Sequence, residues 1–191
     1  PDIKNKKKLI WFHAASIGEV QSILPLIQKL NTNIKNLEFL ITTVTLSAGN
    51  LIKKKIINHS NIRHRYFPLD VKFLMSQFLK KWNPNLIIFV DSEIWPNLLF
   101  EIKRKKIPSV LVNGRITRKS FKRWMVVSNF AKKIFNVFDL CLASNKESKK
   151  YLEQLNARNI KFIGNIKLAG VINPKNIASK NEHFLYKKKF W

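Results

Sequence analysis

The sequence predicts an α/β protein in which helices cover both faces of a parallel, doubly wound sheet. Short apolar runs alternate with helical patterns about six times along the 191 residues, as is typical of a parallel sheet. Some runs, such as residues 86–90, are continuously apolar, as expected of strands that are buried on both faces. The hydrophobic content of 46% supplies a core for one domain of this length. We expect ligands at the carboxyl ends of the strands, in the loops that lead into helices.

The individual elements follow from these patterns in chain order. We predict strands at residues 9–14, 37–44, 62–67, 86–90, 109–112, 140–143 and 160–163. We predict helices at residues 18–30, 47–57, 71–82, 121–138 and 146–155, with a further helix after Pro96. The helix at residues 71–82 has the clearest apolar spacing, and Asp70 is its predicted N-cap.

The net charge of +25 favours an anionic partner: a nucleic acid, an anionic membrane or a phosphorylated ligand. The lysines are scattered, however, and the chain is rich in Lys, Asn and Ile, so compositional drift explains the same charge. The single cysteine, Cys141, allows no intramolecular disulfide and is predicted to be a buried small hydrophobic residue. No apolar stretch reaches the ~18 residues that a membrane span needs.

Domain organisation is predicted from composition. Residues 1–170 are expected to form the domain, and the polar, lysine-rich residues 171–191 are expected to form a linker that leaves it. The chain begins with Pro1 instead of Met, so we expect it to be part of a longer protein.

The first candidate loop, residues 13–19, ends a predicted strand and opens a helix. Ser16 and Glu19 have the spacing of a capping box, with Ser16 as the N-cap. A carboxylate at this position is expected to be kept ionised by the helix dipole and could accept a proton from a bound hydroxyl, so Glu19 is a candidate general base. Gly18 would let a ligand approach the backbone, and His13 would either contact an anionic ligand or pack under the loop. Capping alone explains the same pattern.

Two further loops carry charged residues at predicted strand ends. In residues 91–97, Glu93 is a candidate functional carboxylate, unless Asp91 or Ser92 simply caps the next helix and Trp95 packs. Residues 113–123 contain five cations that could form an anion site or a solvated basic face. The candidate residues in this third loop are Asn113, Arg115, Arg118 and Lys119. No glycine-rich phosphate loop and no Cys/His cluster with metal spacing occurs in the sequence.

Four segments together resemble one family. HAASIGEVQSILPLI, DSEIWPNLL, VNGRITRKSFKRW and IKFIGNIK are similar to the signature segments of the 3-deoxy-D-manno-octulosonic acid (Kdo) transferases, in order and with natural spacing over residues 9–167. The resemblance implies the N-terminal half of a GT-B glycosyltransferase, which has two Rossmann-like domains facing a cleft. This half would bind the acceptor, and a C-terminal domain would hold the donor CMP-Kdo.

The resemblance also implies roles for particular residues. Glu19 would be the general base that deprotonates a hydroxyl of the lipid A precursor lipid IVA, with inversion at the anomeric carbon and loss of CMP. The expected acceptor-binding residues are Ser16, Gly18, Glu93, Asn113 and Arg115, and the candidate anion contacts are His13, Arg118 and Lys119. No metal and no cofactor are expected. The partners are expected to be lipid IVA, CMP-Kdo and an anionic membrane surface at the cytoplasmic face of the bacterial inner membrane.

Departures from the family pattern and an alternative function remain at this point. Gly114 stands where relatives have Ala, Asp91 where many have Glu, and Arg118-Lys119 where Glu-Arg is usual. The alternative is a basic nucleic-acid-binding α/β domain, which depends on net charge alone. The sequence lacks the signatures of the common nucleic-acid-binding modules, so no nucleic-acid partner is expected.

Overall fold

The computed structural model of the protein describes residues 7–56 and 59–166. Within these residues one sheet contains seven parallel strands: β1 Lys8–His13, β2 Leu37–Thr43, β3 Ile62–Tyr66, β4 Leu86–Val90, β5 Ser109–Gly114, β6 Leu140–Ala143 and β7 Ile160–Phe162. The helices between them are α1 Ile17–Asn33, α2 Leu46–Ile56, α3 Lys72–Trp82, α4 Pro96–Lys105, α5 Arg118–Val126, α6 Ser128–Phe135 and α7 Lys146–Gln154. The predicted α/β fold class is confirmed, and every predicted strand is present.

The strand order reverses next to β1. The order across the sheet is β3-β2-β1-β4-β5-β6-β7, so the chain winds outward in one direction from β1 to β3 and then in the other from β4. Such a reversal leaves a crevice at the carboxyl ends of the two central strands, which is where ligands bind in open α/β sheets. The loops that follow β1 and β4 therefore lie at this switch point.

The core consists of two layers on opposite faces of the sheet. Neighbouring side chains of β1 illustrate the division, because Trp11 packs in the layer with Leu98 whereas Phe12 packs in the layer with Val20. Trp11 and Phe12 are fully buried. Continuous apolar character in the central strands thus reflects burial on both faces, as the sequence predicted.

The N-cap prediction for Asp70 is wrong, because the side chain serves a different helix. Helix α3 begins after Val71, which makes no side-chain capping bond. Asp70 instead caps α4: its Oδ2 accepts from the backbone N–H of Asn97 at 3.0 Å and its Oδ1 from that of Leu98 at 2.8 Å. The alternative capping by Asp91 or Ser92 is therefore wrong as well. Pro96 lies in the first turn of α4, as predicted.

The single long helix predicted at residues 121–138 is also wrong, because Val127 separates α5 from α6. Its backbone, at φ −115° and ψ 45°, is not helical, and its N–H bonds to the carbonyl of Trp124. No Pro or Gly marks the break, so the apolar pattern alone could not reveal it. Helix α6 buries Ala131, Ile134 and Phe135, whereas α5 has no buried residue.

Two further sequence predictions concern the C-terminal linker and the absence of a membrane span. The predicted linker at 171–191, and the end of the predicted domain at 167–170, lie outside the described residues. Among the residues that are described, no helix has the length and apolar character needed to cross a membrane.

Capping of α4 by Asp70 can be tested by substitution. Asp70→Ala should lower the free energy of unfolding by about 1–2 kcal/mol, because it removes both bonds to the first turn of α4. Asp70→Asn retains a side-chain oxygen and should cost less. Denaturant unfolding followed by circular dichroism provides the measurement, and equal stabilities of all three proteins would contradict the capping role.

Candidate functional site

The first two candidate loops meet at the switch point. The loop after β1 begins at Ala14 and the loop after β4 at Asp91, and their parent strands are hydrogen-bonded neighbours. A side-chain bond joins the strand end to the second loop, because the indole N–H of Trp95 donates to Nε2 of His13 at 2.9 Å. The parallel sheet therefore brings together two segments whose bonded residues, His13 and Trp95, are 82 residues apart in the sequence.

Glu19 lies at the start of α1, with its carboxylate folded back onto the loop. Its Oε2 accepts from the backbone N–H of Ala15 at 2.8 Å, and its Oε1 accepts from the hydroxyl of Ser16 at 2.7 Å. The hydroxyl oxygen of Ser16 in turn accepts from the backbone N–H of Glu19 at 3.4 Å, so Ser16 is the predicted N-cap. Only 7% of Glu19 is exposed. The loop thus fixes the carboxylate, and each of its oxygens keeps a free lone pair.

Burial determines the direction of the pKa shift at Glu19. Burial raises its pKa above the ordinary value of 4.5, the hydrogen bonds from Ser16 and Ala15 oppose the shift, and the negative charges of Glu93 and Asp91 add to it. The helix dipole invoked in the sequence analysis favours the ionised form of Glu19, whereas burial acts in the opposite direction. A raised pKa suits proton acceptance, because a general base works best when its pKa lies closer to the working pH.

Gly18 occupies the exposed side of the same helix start. A Cβ atom built on Gly18 would meet no other atom within 4 Å. The space next to this turn is therefore open, which is the property expected if a ligand approaches the backbone here. Ser16 is half-buried and directs its hydroxyl to Glu19, so its described role is to hold the carboxylate.

His13 does not have the position expected of an anion-binding residue, and that prediction is wrong. It is 0% exposed, and both ring nitrogens are engaged, Nδ1 with the hydroxyl of Thr42 at 2.8 Å and Nε2 with the indole of Trp95. The alternative that the sequence left open, packing under the loop, is confirmed. Its ring packs against that of Phe67 at an interplanar angle of 41°, with centroids 4.3 Å apart.

Glu93 lies beside this histidine and remains partly accessible. Its Oε2 accepts from the indole N–H of Trp95 at 3.1 Å and lies 3.5 Å from Nε2 of His13. The structure therefore places the carboxylates of Glu93 and Glu19 on the two sides of the switch point, close enough for Glu93 to raise the pKa of Glu19.

A cavity lies at the carboxyl ends of β4 and β5, beside the start of α7. Its volume is about 350 Å³, and it is lined by Asp91, Asn113, Arg115, Ser144, Asn145 and Asn165. Arg115 is exposed there, whereas Asn113 is 1% exposed and its Oδ1 accepts from the backbone N–H of Ile166 at 3.2 Å. The sequence predicted Asn113 and Arg115 as site residues but missed Asp91, Ser144, Asn145 and Asn165, although a strand end at residue 143 was predicted.

The backbone at this cavity is unusual at two neighbouring strand ends. Asp91 and Asn113 both adopt left-handed conformations, with φ of 63° and 58°. Aspartate and asparagine tolerate this region better than most residues, but such conformations cost free energy and tend to occur at functional sites. The paired turns aim the loops after β4 and β5 into the same cavity.

Arg118 and Lys119 do not line this cavity. Both are exposed on the first turn of α5, and Arg118 lies close enough to Tyr151 on α7 to affect the pKa of its phenol. Of the cations in the third loop, Arg115 is the one that faces the strand ends. Within residues 7–56 and 59–166, no three His, Cys, Asp or Glu side chains come together as metal ligands would.

Comparison with known proteins assigns the chain to a family. A family model described as 3-deoxy-D-manno-octulosonic-acid transferase (kdotransferase) matches residues 1–169. The chain belongs to the Kdo transferase family. A Kdo transferase of Rickettsia felis is 34% identical over 180 residues, which is 93% of this chain and 38% of the relative. A probable mitochondrial Kdo transferase of Arabidopsis thaliana is 41% identical over 116 residues, or 61% of this chain and 26% of the relative.

Solved structures support the same fold at low sequence identity. The UDP-GlcNAc 2-epimerase of Neisseria meningitidis matches with a TM-score of 0.62 at 10% identity, covering 90% of this chain and 50% of that one. The epimerase of Rickettsia bellii matches with a TM-score of 0.56 at 16% identity, covering 92% and 48%. At such identities the likeness shows the fold alone. The chain spans less than half the length of the curated relatives, since it covers 38% of the R. felis enzyme.

The open space at Gly18 can be tested without any ligand. Gly18→Ala should raise the free energy of unfolding by up to about 1 kcal/mol, because alanine favours a helix and its Cβ meets no atom. The matched control is Gly49→Ala in α2, where the new Cβ would lie 2.5 Å from the hydroxyl of Tyr66. We expect the control to gain less or to lose stability in denaturant unfolding. The reverse ranking would contradict the geometry.

Proposed function

We propose that the chain forms the N-terminal, acceptor-binding half of a glycosyltransferase that moves Kdo from CMP-Kdo to the lipid A precursor lipid IVA. Membership of the Kdo transferase family supports the class of reaction. The nucleic-acid-binding alternative depended on net charge alone and gains no support from the family match. The donor would be held mainly by a C-terminal domain, so this chain by itself would be inactive.

The observation that carries the proposal is the position of Glu19. Its carboxylate lies at the switch point of the sheet, is fixed by two hydrogen bonds, and has a pKa raised by burial. In the proposed step, a sugar hydroxyl of the acceptor attacks the anomeric carbon of Kdo. The proton of that hydroxyl passes to Glu19, the bond to the CMP phosphate breaks, and CMP leaves with the bonding electrons. Attack opposite the leaving group inverts the anomeric centre.

Access to Glu19 sets a condition on this step. Because 7% of the residue is exposed, the acceptor hydroxyl has to enter at the remaining open edge of the loop. Gly18 lies on that exposed turn, and the open space around it allows a bulky glycolipid to come close to the backbone. The free lone pairs of the carboxylate are the sites to which the hydroxyl would donate.

The acceptor would extend from this loop towards the cavity at the carboxyl ends of β4 and β5. Arg115 would bind a phosphate of lipid IVA or the carboxylate of Kdo, since guanidinium binds both groups through paired hydrogen bonds. Glu93 and the loop held by Asn113 would position the sugar, while Arg118 and Lys119 would act at longer range. We expect no metal, because cationic groups and helix N-termini can stabilise the departing phosphate.

The charge of the chain fits this acceptor and its surroundings. A net charge of +25 would attract both a phosphorylated lipid and the anionic lipids of a bacterial membrane. We therefore place the protein at the cytoplasmic face of the inner membrane, bound peripherally through this domain.

The general-base role is tested by Glu19→Gln in the complete gene product, with Kdo transfer from CMP-Kdo to lipid IVA as the assay. The variant should lose about 10²–10⁴-fold in kcat, because glutamine keeps the shape but cannot take the proton. The control is Glu38→Gln, which removes another partly buried carboxylate, near the amino end of β2. Near-normal Kdo transfer by Glu19→Gln would rule out Glu19 as the general base.

Stability provides a second measurement on the same variant. Since the folded-state pKa of Glu19 is raised above 4.5, the stability contributed by this group is present below pH 4.5 and lost as the pH rises through the raised value. Relative to wild type, Glu19→Gln should therefore gain stability as the pH increases. A constant difference between the two proteins across this range would contradict the direction of the shift.

The electrostatic link between the two carboxylates predicts a pH effect. The negative charge of Glu93 contributes to the raised pKa of Glu19, so Glu93→Gln should lower that pKa. The acid limb of the plot of kcat/KM against pH reports the free general base and should move to lower pH in the variant. A limb that stays in place, or moves to higher pH, would show that Glu19 is not the titrating base.

A further inference from the structure

A network of hydrogen-bonded side chains crosses the switch point underneath the two loops. The indole N–H of Trp11 donates to the hydroxyl oxygen of Thr42 at 2.8 Å, and Nδ1 of His13 lies 2.8 Å from the same oxygen. On the other side, the indole N–H of Trp95 is shared between Nε2 of His13 at 2.9 Å and Oε2 of Glu93 at 3.1 Å. This network thus extends from the buried side chains of β1 and β2 to the carboxylate of Glu93 at the proposed site.

The donors in this hydrogen-bond network determine the tautomer of His13. An indole N–H can only donate, so Nε2 of His13 must carry a lone pair that accepts from Trp95. The proton of the neutral ring is then on Nδ1, where it donates to Thr42. The hydroxyl oxygen of Thr42 therefore accepts two bonds, one from His13 and one from Trp11. These bonds hold the buried side chains of Trp11, His13 and Thr42 in place.

We propose that His13 is a positioning residue that acts on Glu93 through Trp95; this inference rests on the proposed Kdo transfer. The acceptor nitrogen of His13 fixes the orientation of the Trp95 indole, whose N–H then holds Oε2 of Glu93. Packing assists, since the rings of His13 and Trp95 both contact Phe67, with centroids 4.3 Å and 4.8 Å from it. Without the acceptor nitrogen of His13, the indole of Trp95 could rotate, and the carboxylate of Glu93 that it binds would be displaced.

The effect should appear in turnover, because Glu93 faces the residue proposed to take the proton. Its charge contributes to the raised pKa of Glu19, so a displaced Glu93 changes the environment of the base as well as the acceptor site. A misplacement of about 1 Å at a catalytic site can cost on the order of 10²-fold in rate. His13 is itself 0% exposed and contacts no ligand in this scheme, so acceptor affinity should change less than kcat.

Two substitutions of similar size separate the hydrogen bond from packing. In His13→Gln, the side-chain oxygen can accept from Trp95 and the amide N–H can donate to Glu93. In His13→Met, the side chain fills a similar volume with no comparable acceptor. In the complete gene product we expect Met to lower kcat by about 10²-fold with a smaller change in KM, and Gln to restore kcat to within about tenfold of wild type. Equal kcat values for the two variants would overturn the inference.

The indole resonance of Trp95 provides a measurement that does not depend on activity. In proton–nitrogen correlation spectra, the Nε1–H signal of Trp95 should move upfield in His13→Met and stay near its wild-type position in His13→Gln, because the bond to an aromatic nitrogen is lost in the first and replaced in the second. An unmoved signal in the Met variant would refute the positioning role. A wild-type gene product that transfers no Kdo would instead count against the proposed function.

Discussion

The position of β1 between β2 and β4 is the constraint on which the site depends. Because the strand order reverses there, the loop after β1 and the loop after β4 are forced to the same point on the sheet edge. The bond between Trp95 and His13 then joins them across 82 residues of sequence. Both core layers contribute to this arrangement, since β1 buries Trp11 on one face and Phe12 on the other. The sheet therefore fixes the positions of the strand ends, and the loops after β1 and β4 supply the functional side chains.

Burial at Glu19 explains how one residue can serve both the fold and the proposed chemistry. Its hydrogen bonds with Ala15 and Ser16 complete the first turn of α1, which a purely structural cap would also do. A structural cap gains from a low pKa, because the ionised form makes the stronger bonds. Burial and the nearby carboxylates raise the pKa instead. This departure from what capping alone favours supports the proposal that Glu19 also acts as the general base.

Sequence patterns predicted the fold well and the site in part. Strands such as β4 were predictable because burial on both faces requires a continuous apolar run, and Ser16 because capping is a local interaction. Asp70 could not be assigned correctly, since it caps a helix 26 residues later in the chain through a tertiary contact. The break at Val127 carries no Pro or Gly signal, and the burial of His13 depends on rings from three other segments. Local chemistry is visible in the sequence, whereas these features depend on which segments meet.

The distribution of charge adds a final constraint on the site. The chain has 36 Lys and Arg against 11 Asp and Glu, yet Glu19, Asp91 and Glu93 come together at the switch point. Grouping like charges costs free energy, and in a strongly basic chain a cation could easily have stood at one of these positions. The groups that shift the pKa of Glu19 through their charge are both anions. A strongly basic surface would attract a phosphorylated acceptor, while the acidic switch point would keep its phosphates away from the base and admit a neutral hydroxyl.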